Sequence, residues 1–182
     1  MKSFGDKKEK ILSLLKEAIE YANMMVYEKS REEEALREMG TTLDVILIIK
    51  EKIYIGHVGD SKVYKINNSQ IDKLTTDHSY VEKLVKDGTI TRQEAITHPK
   101  RNMLLKAIGS NTFVSPDIID LEVQNGDIFL MCSDGLTNMV SENRILEIIS
   151  KYSENSVEYL IEEANNSGGI DNITTIIIEK IT

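Results

Sequence analysis

Three aspartates of the 182-residue chain share one setting: Asp60 in Gly56-His57-Val58-Gly59-Asp60-Ser61, Asp134 in Cys132-Ser133-Asp134-Gly135, and Asp171 in Gly168-Gly169-Ile170-Asp171-Asn172. Each lies beside glycine at one end of an apolar run. An ionised carboxylate next to a core costs several kcal/mol unless a cation or hydrogen-bond donors meet it. Carboxylate oxygens are the donors that Mg²⁺ and Mn²⁺ take, and glycine lets the backbone approach with no Cβ in the way. Any one of the three is equally an ordinary turn aspartate, because Asp and Gly dominate turns for local hydrogen-bonding reasons. The recurrence of the setting points to an acidic metal site.

The three histidines divide by context. His57 falls within a strand-like run, where a hydrogen-bonded core or metal-edge histidine is expected. His78 stands between Asp77 and Ser79, an N-cap context. His98 precedes Pro99 and would serve proton transfer only if its segment folds over the site. The chain has no Gly-x-Ser-x-Gly elbow, and its single cysteine, Cys132, sits in an apolar run without a partner. A disulfide framework and a cysteine-based zinc site are thereby excluded, and the missing elbow and reactive-cysteine context argue against a covalent nucleophile, which leaves metal-activated water as the better mechanism.

The elements that must position these residues follow from periodicity. Residues 6–38 carry Ile11, Leu14, Leu15, Ala18, Ile19, Ala22 and Met25 at helical spacing, which predicts one long amphipathic helix closed by Met39-Gly40-Thr41-Thr42. Strands are expected at 43–49, 53–58, 63–66 and 71–74, with turns at Lys50-Glu51-Lys52, Gly59-Asp60 and Asn67-Asn68, together an antiparallel meander. Residues 79–108 turn polar and helix-prone, a two- or three-helix insertion interrupted at His98-Pro99. Strands 118–123 and 128–132 flank Gln124-Asn125-Gly126-Asp127, a hairpin signal. Two helices, 141–152 capped by Ser141 and 156–165, precede a β-branched run at 173–178 that reads as a buried strand. The order predicts an α+β fold with helices packed on antiparallel sheets, in a single domain over residues 1–182.

Lys and Arg total 22 against 30 Asp and Glu, a formal charge of −8. That balance argues against nucleic acid or an anionic membrane, whose phosphates need a basic patch. It leaves phosphate chemistry open, because a divalent metal can supply the local positive charge. No apolar run approaches the ~20 residues of a membrane helix, and the start lacks a signal-peptide pattern, so a cytoplasmic location is expected.

Six segments, in order, resemble the motifs of the metal-dependent serine/threonine protein phosphatases, and more narrowly the bacterial type 2C enzymes. They are Met39-Gly40-Thr41-Thr42-Leu43, Gly56 to Ser61, Thr76-Asp77-His78-Ser79, His98-Pro99-Lys100-Arg101-Asn102, Cys132 to Thr137, and Gly168 to Thr174. The resemblance implies a hydrolase of signalling pathways built on an antiparallel β-sandwich flanked by helices. It implies two to three Mn²⁺ or Mg²⁺ ions and direct attack of a metal-activated water on phosphoserine or phosphothreonine. Carried over, Asp134 and Asp171 match core metal ligands, and Asp60 matches a ligand of a third ion. Residues 78–108 match a flap beside the site, with His78, Ser79, His98 and Asn102 on the substrate side. The implied partners are phosphoprotein substrates, including a serine/threonine kinase and its targets.

Two departures accompany the resemblance. Lys62 stands where many members have arginine, keeping the charge but not the planar fork. Members also begin with strands carrying an early arginine and an Ala-Asp-Gly-Met-Gly-Gly-His segment whose aspartate bridges two metals. Met1 to Lys10 instead match the start of the helix after that segment. A front-truncated site is therefore expected to have impaired metal affinity, and uncovered strands to invite self-association. The alternative readings are a non-catalytic phosphatase-like interaction module and, from composition alone, an acidic metal-binding structural domain.

Overall fold

The computed structural model describes residues 5–67 and 69–181. Residues 1–4, part of the stretch matched to the first helix, and Asn68 of the expected Asn67-Asn68 turn lie outside the described residues. The chain groups into two compact units, one of residues up to Gly59 with Asp77–Glu122, the other of Asp60–Thr76 with the chain from Val123 onward.

In the first unit a long helix, α1 (Gly5–Glu32), is followed by a 3₁₀ turn at Glu34–Leu36, which ends the helix earlier than its charged tail suggested. Leu15 and Ile19 are its buried apolar residues and pack with Tyr54, Val58, Ile108 and Val114. Leu14 and Met25, expected on the same face, are about half exposed. The buried stripe instead runs on through Asn23, whose amide is satisfied at both ends: Nδ2 donates to Asn111 O (3.0 Å) and Oδ1 accepts from Gly109 N–H (2.8 Å). Hydropathy alone could not find that polar anchor. Strands β1 (Leu43–Ile49) and β2 (Lys52–Val58) form a hairpin, and β5 (Asp117–Glu122) lies on the other side of β2, all antiparallel. Between β2 and β5 in sequence, and in this unit, come α2 (Tyr80–Lys86) and α3 (Arg92–Ile96). Ser79 caps α2, and Thr91 with Glu94 forms a capping box on α3. The insertion thus holds two short helices, with residues 97–116 irregular apart from single bridges such as Thr41 to Ile108.

The second unit is a four-stranded antiparallel sheet in the order β4 (Gln70–Lys73), β3 (Lys62–Asn67), β6 (Ile128–Cys132), β7 (Thr175–Glu179). Helices α4 (Asp134–Thr137), α5 (Glu142–Tyr152) and α6 (Ser156–Asn166) belong with it. Tyr64, Leu130, Leu136, Ile145, Ile148 and Leu160 are at most 1% exposed and form its core. The Ser141 cap and the Ile145/Ile148/Ile149 face are as the sequence predicts.

Three expectations are corrected. The meander breaks at Gly59-Asp60: β2 pairs with β1 and β5, whereas β3 pairs with β4 and β6, because Gly59 adopts φ +121°, a turn that leaves the hairpin path. The Gln124-to-Asp127 turn exists but joins no hairpin. Its backbone bonds instead to the C-terminal segment, with Gly126 N–H donating to Lys180 O (2.8 Å) and Lys180 N–H to Asp127 O (2.9 Å). The last strand is an edge strand, paired among the described residues to β6 alone, and Ile176 is half exposed.

Candidate metal centre

β6 ends at Cys132, Ser133 turns the chain, and Asp134 opens the four-residue helix α4. Ser133 ties this corner to the segment that carries Asp171. Its N–H donates to Thr174 O (3.0 Å), its hydroxyl donates to Asn172 O (3.2 Å) and accepts from Thr174 N–H (3.0 Å). Behind it Gly135 presses on the same segment: a Cβ there would lie 2.3 Å from Asn172 O and 3.5 Å from the Cβ of Asp171. Only a residue without a side chain permits that approach. Asp134 and Asp171 are thereby carried on touching stretches of backbone.

Each carboxylate keeps coordination capacity. Asp134 Oδ2 accepts from the Asn138 amide (3.2 Å), and Asp171 Oδ1 accepts from the backbone N–H of Asn172 (2.7 Å). It is the main chain of Asn172 that meets the Asp171 carboxylate. Asp134 is half-buried and Asp171 exposed. Asp60 is half-buried in the turn before β3, with the Lys62 ammonium donating to its backbone carbonyl (3.1 Å). Next to it Ser61 buries its hydroxyl with no hydrogen-bond partner among the described residues. Also among the described residues, no three His, Cys, Asp or Glu side chains converge closely enough to cage a cation. What the fold provides is a pair of hard oxygen donors on adjoining segments, which suits a partly hydrated divalent ion, since Mg²⁺ is commonly held by one or two carboxylates with several waters retained. The residues fit such an ion.

The residues of the expected flap have defined roles in the first unit. Ser79 is engaged as the α2 cap, accepting from Glu82 N–H (3.2 Å). His98 is half-buried against Tyr80, and its Nδ1 accepts from Lys100 N–H (3.0 Å). Asn102 is exposed. His78 is buried: Nδ1 accepts from Gly59 N–H (3.1 Å), and Nε2 lies 3.2 Å from Asp117 Oδ1 and 3.1 Å from Lys106 Nζ. Burial, then the nearby Lys106 ammonium, hold its pKa below the ordinary histidine value against the pull of Asp117. His57 is fully buried with Nδ1 2.6 Å from Asp44 Oδ1, the hydrogen-bonded core histidine that its strand position implied. Sequence reasoning missed Ser133, Asn138, Lys106 and Asp117; Ser133 and Asn138 flank Asp134 closely enough to have been weighed with it.

The family described as protein phosphatase 2C matches residues 2–165. A serine/threonine phosphatase stp of Listeria welshimeri is 38% identical over 174 residues, 94% of this chain and 69% of that protein. Protein phosphatase PhpP of Streptococcus pneumoniae is 38% identical over 162 residues, 88% of this chain and 65% of that protein. The chain thus spans about two thirds of the length of these curated relatives. The catalytic domain of the serine/threonine protein phosphatase PstP, solved in complex with two manganese ions, superimposes with a TM-score of 0.85 at 32% identity, covering 94% of this chain and 72% of that one.

Proposed function

Because the chain belongs to the protein phosphatase 2C family, a family of protein serine/threonine phosphatases, we propose that Asp134 and Asp171 hold Mn²⁺ or Mg²⁺, that Asp60 with Asp134 serves a further ion, and that the site hydrolyses phosphoserine and phosphothreonine. The observation that carries this reading is the seam between Asp134 and Asp171, made by three hydrogen bonds at Ser133 and the close approach at Gly135. The manganese complex of the PstP catalytic domain supports a divalent metal here. A bound divalent ion supplies Lewis acidity toward a phosphoryl oxygen and lowers the pKa of a coordinated water. The chain's own contribution is orientation: the Asn138 amide holds Oδ2 of Asp134 and the Asn172 N–H holds Oδ1 of Asp171, and these two carboxylates would supply hard oxygen donors to the ion.

Phosphoproteins are the substrates that this family implies, and a serine/threonine kinase of the same cell with its targets is the natural set. Among the described residues no helix is long and apolar enough to cross a membrane. Self-association through the β1 and β7 edges, each paired on one side, is part of the same reading. A non-catalytic module is not favoured, since the similar proteins carry phosphatase names.

The test is Mn²⁺ titration by calorimetry on the 182-residue chain, paired with hydrolysis of an aryl phosphate. Asp134→Asn and Asp171→Asn are each expected to lower both metal affinity and turnover by more than roughly 100-fold, beyond the loss typical of an outer-shell partner. Turnover that survives either change would remove the assignment.

A further inference from the structure

We propose that His78 is a positioning residue that grips the Gly59 peptide at both ends and so sets the backbone from which Asp60 departs. The inference rests on the reading of Asp60 as a metal ligand. Two bonds make the grip. The main-chain N–H of His78 donates to Gly59 O (2.7 Å), and Gly59 N–H donates back to His78 Nδ1 (3.1 Å). Gly59 needs such a hold: it sits at φ +121°, and a Cβ on it would fall 2.3 Å from the Thr42 methyl. Its carbonyl carbon is bonded to the nitrogen of Asp60.

The grip specifies one form of the imidazole. An Nδ1 that accepts from a peptide N–H carries no proton, so the ring is neutral with its proton on Nε2, facing Asp117 Oδ1 at 3.2 Å. Protonation at Nδ1 would set two donors against each other and open the bond to Gly59. The charged and titratable groups around the ring are Lys106, Asp117 on β5 and His57 on β2, whose ring centroid is 4.8 Å away; Asp44 on β1 lies behind His57. Burial and the Lys106 charge hold His78 neutral, so the grip is intact at neutral pH and weakens on acidification.

Two substitutions separate the grip from simple burial. In His78→Asn the side-chain oxygen falls near the Nδ1 position and can still accept from Gly59. In His78→Gln the amide falls near Nε2 and cannot. The first readout is metal-free NMR on the whole chain: imidazole ¹⁵N shifts should report an unprotonated Nδ1. Exchange of the Gly59 amide should rise about tenfold in His78→Gln, the equilibrium worth of roughly one hydrogen bond, and stay near the parent in His78→Asn. The parent's Gly59 exchange protection should fall as the pH is lowered beyond the ordinary histidine range, and that fall should be absent from His78→Asn. The second readout is Mn²⁺ calorimetry, in which His78→Gln should weaken binding and add nothing to Asp60→Asn. An Nδ1-protonated ring, or equal Gly59 exchange in both variants, overturns the grip. Unchanged Mn²⁺ affinity in His78→Gln, with Asp60→Asn weakened, overturns positioning. A silent Asp60→Asn shows that the ligand reading of Asp60 failed, and the positioning of a ligand fails with it.

Discussion

Gly135→Ala is expected to cost about 1–3 kcal/mol of stability, the usual range for an overpacked site, and to weaken Mn²⁺ binding along with it. The added Cβ would stand 2.3 Å from Asn172 O and 3.1 Å from its carbonyl carbon. Both are backbone atoms, so no rotamer change relieves the clash, and either α4 or the 171–172 segment must shift. The segment is also held by Ser133, which bonds both Asn172 and Thr174. Displacement there moves Asp171 relative to Asp134 while leaving both carboxylates chemically intact. The check is urea unfolding of the variant together with calorimetric Mn²⁺ titration under conditions where it remains folded. A folded Gly135→Ala that binds Mn²⁺ like the parent would show that the seam does not set the two carboxylates.

Asp127→Ala is expected to be more destabilising still, by on the order of 3 kcal/mol, because it breaks a buried ion pair and strands its partners. Asp127 is fully buried. It receives the Lys65 ammonium (2.7 Å), the Gln124 N–H (2.8 Å) and the Asn67 amide. Lys65 retains some access to water, which places the cost toward the low end of the range for broken buried pairs. Burial pushes the Asp127 carboxyl up, but the Gln124 N–H, Lys65 and Asn67 together hold it below the ordinary carboxylate value. A folded-state pKa below the unfolded one contributes stability that is complete above the unfolded value and lost as pH falls through the folded value. The parent should therefore lose stability below about pH 4, and Asp127→Ala should lack that component of the acid limb. Urea midpoints measured from pH 7 to pH 2.5 test both points; a variant within about 1 kcal/mol of the parent at pH 7 would contradict the account.

Asp127 also shows where local sequence signals stop. Gln124-Asn125-Gly126-Asp127 is a turn, with Gly126 at φ +84°, as its composition requires. The groups that Asp127 bonds, Lys180 and Lys65, are 53 and 62 residues away in sequence, and no window across the turn contains them. The same holds at Gly59-Asp60, where a pattern of strand, glycine-aspartate, strand reads as a hairpin. Gly59 is instead held at positive φ by contacts to His78.

The sequence by itself determined the elements, the caps and the identity of the chemistry. Apolar periodicity marks α1, α5 and α6, Ser141 and Ser79 begin helices, and the ordered motifs around Asp60, Asp134 and Asp171 are local strings by which the family is recognised. Tertiary structure decided which strands share a sheet, that the 173–178 run ends at a sheet edge, that His78 is buried rather than presented outward, and that the backbone segments carrying Asp134 and Asp171 touch at Gly135. The physical reason is common to all four. Propensity and capping act through neighbours a few residues away, whereas pairing, burial and contact between segments depend on groups tens of residues apart that only the packed chain brings together.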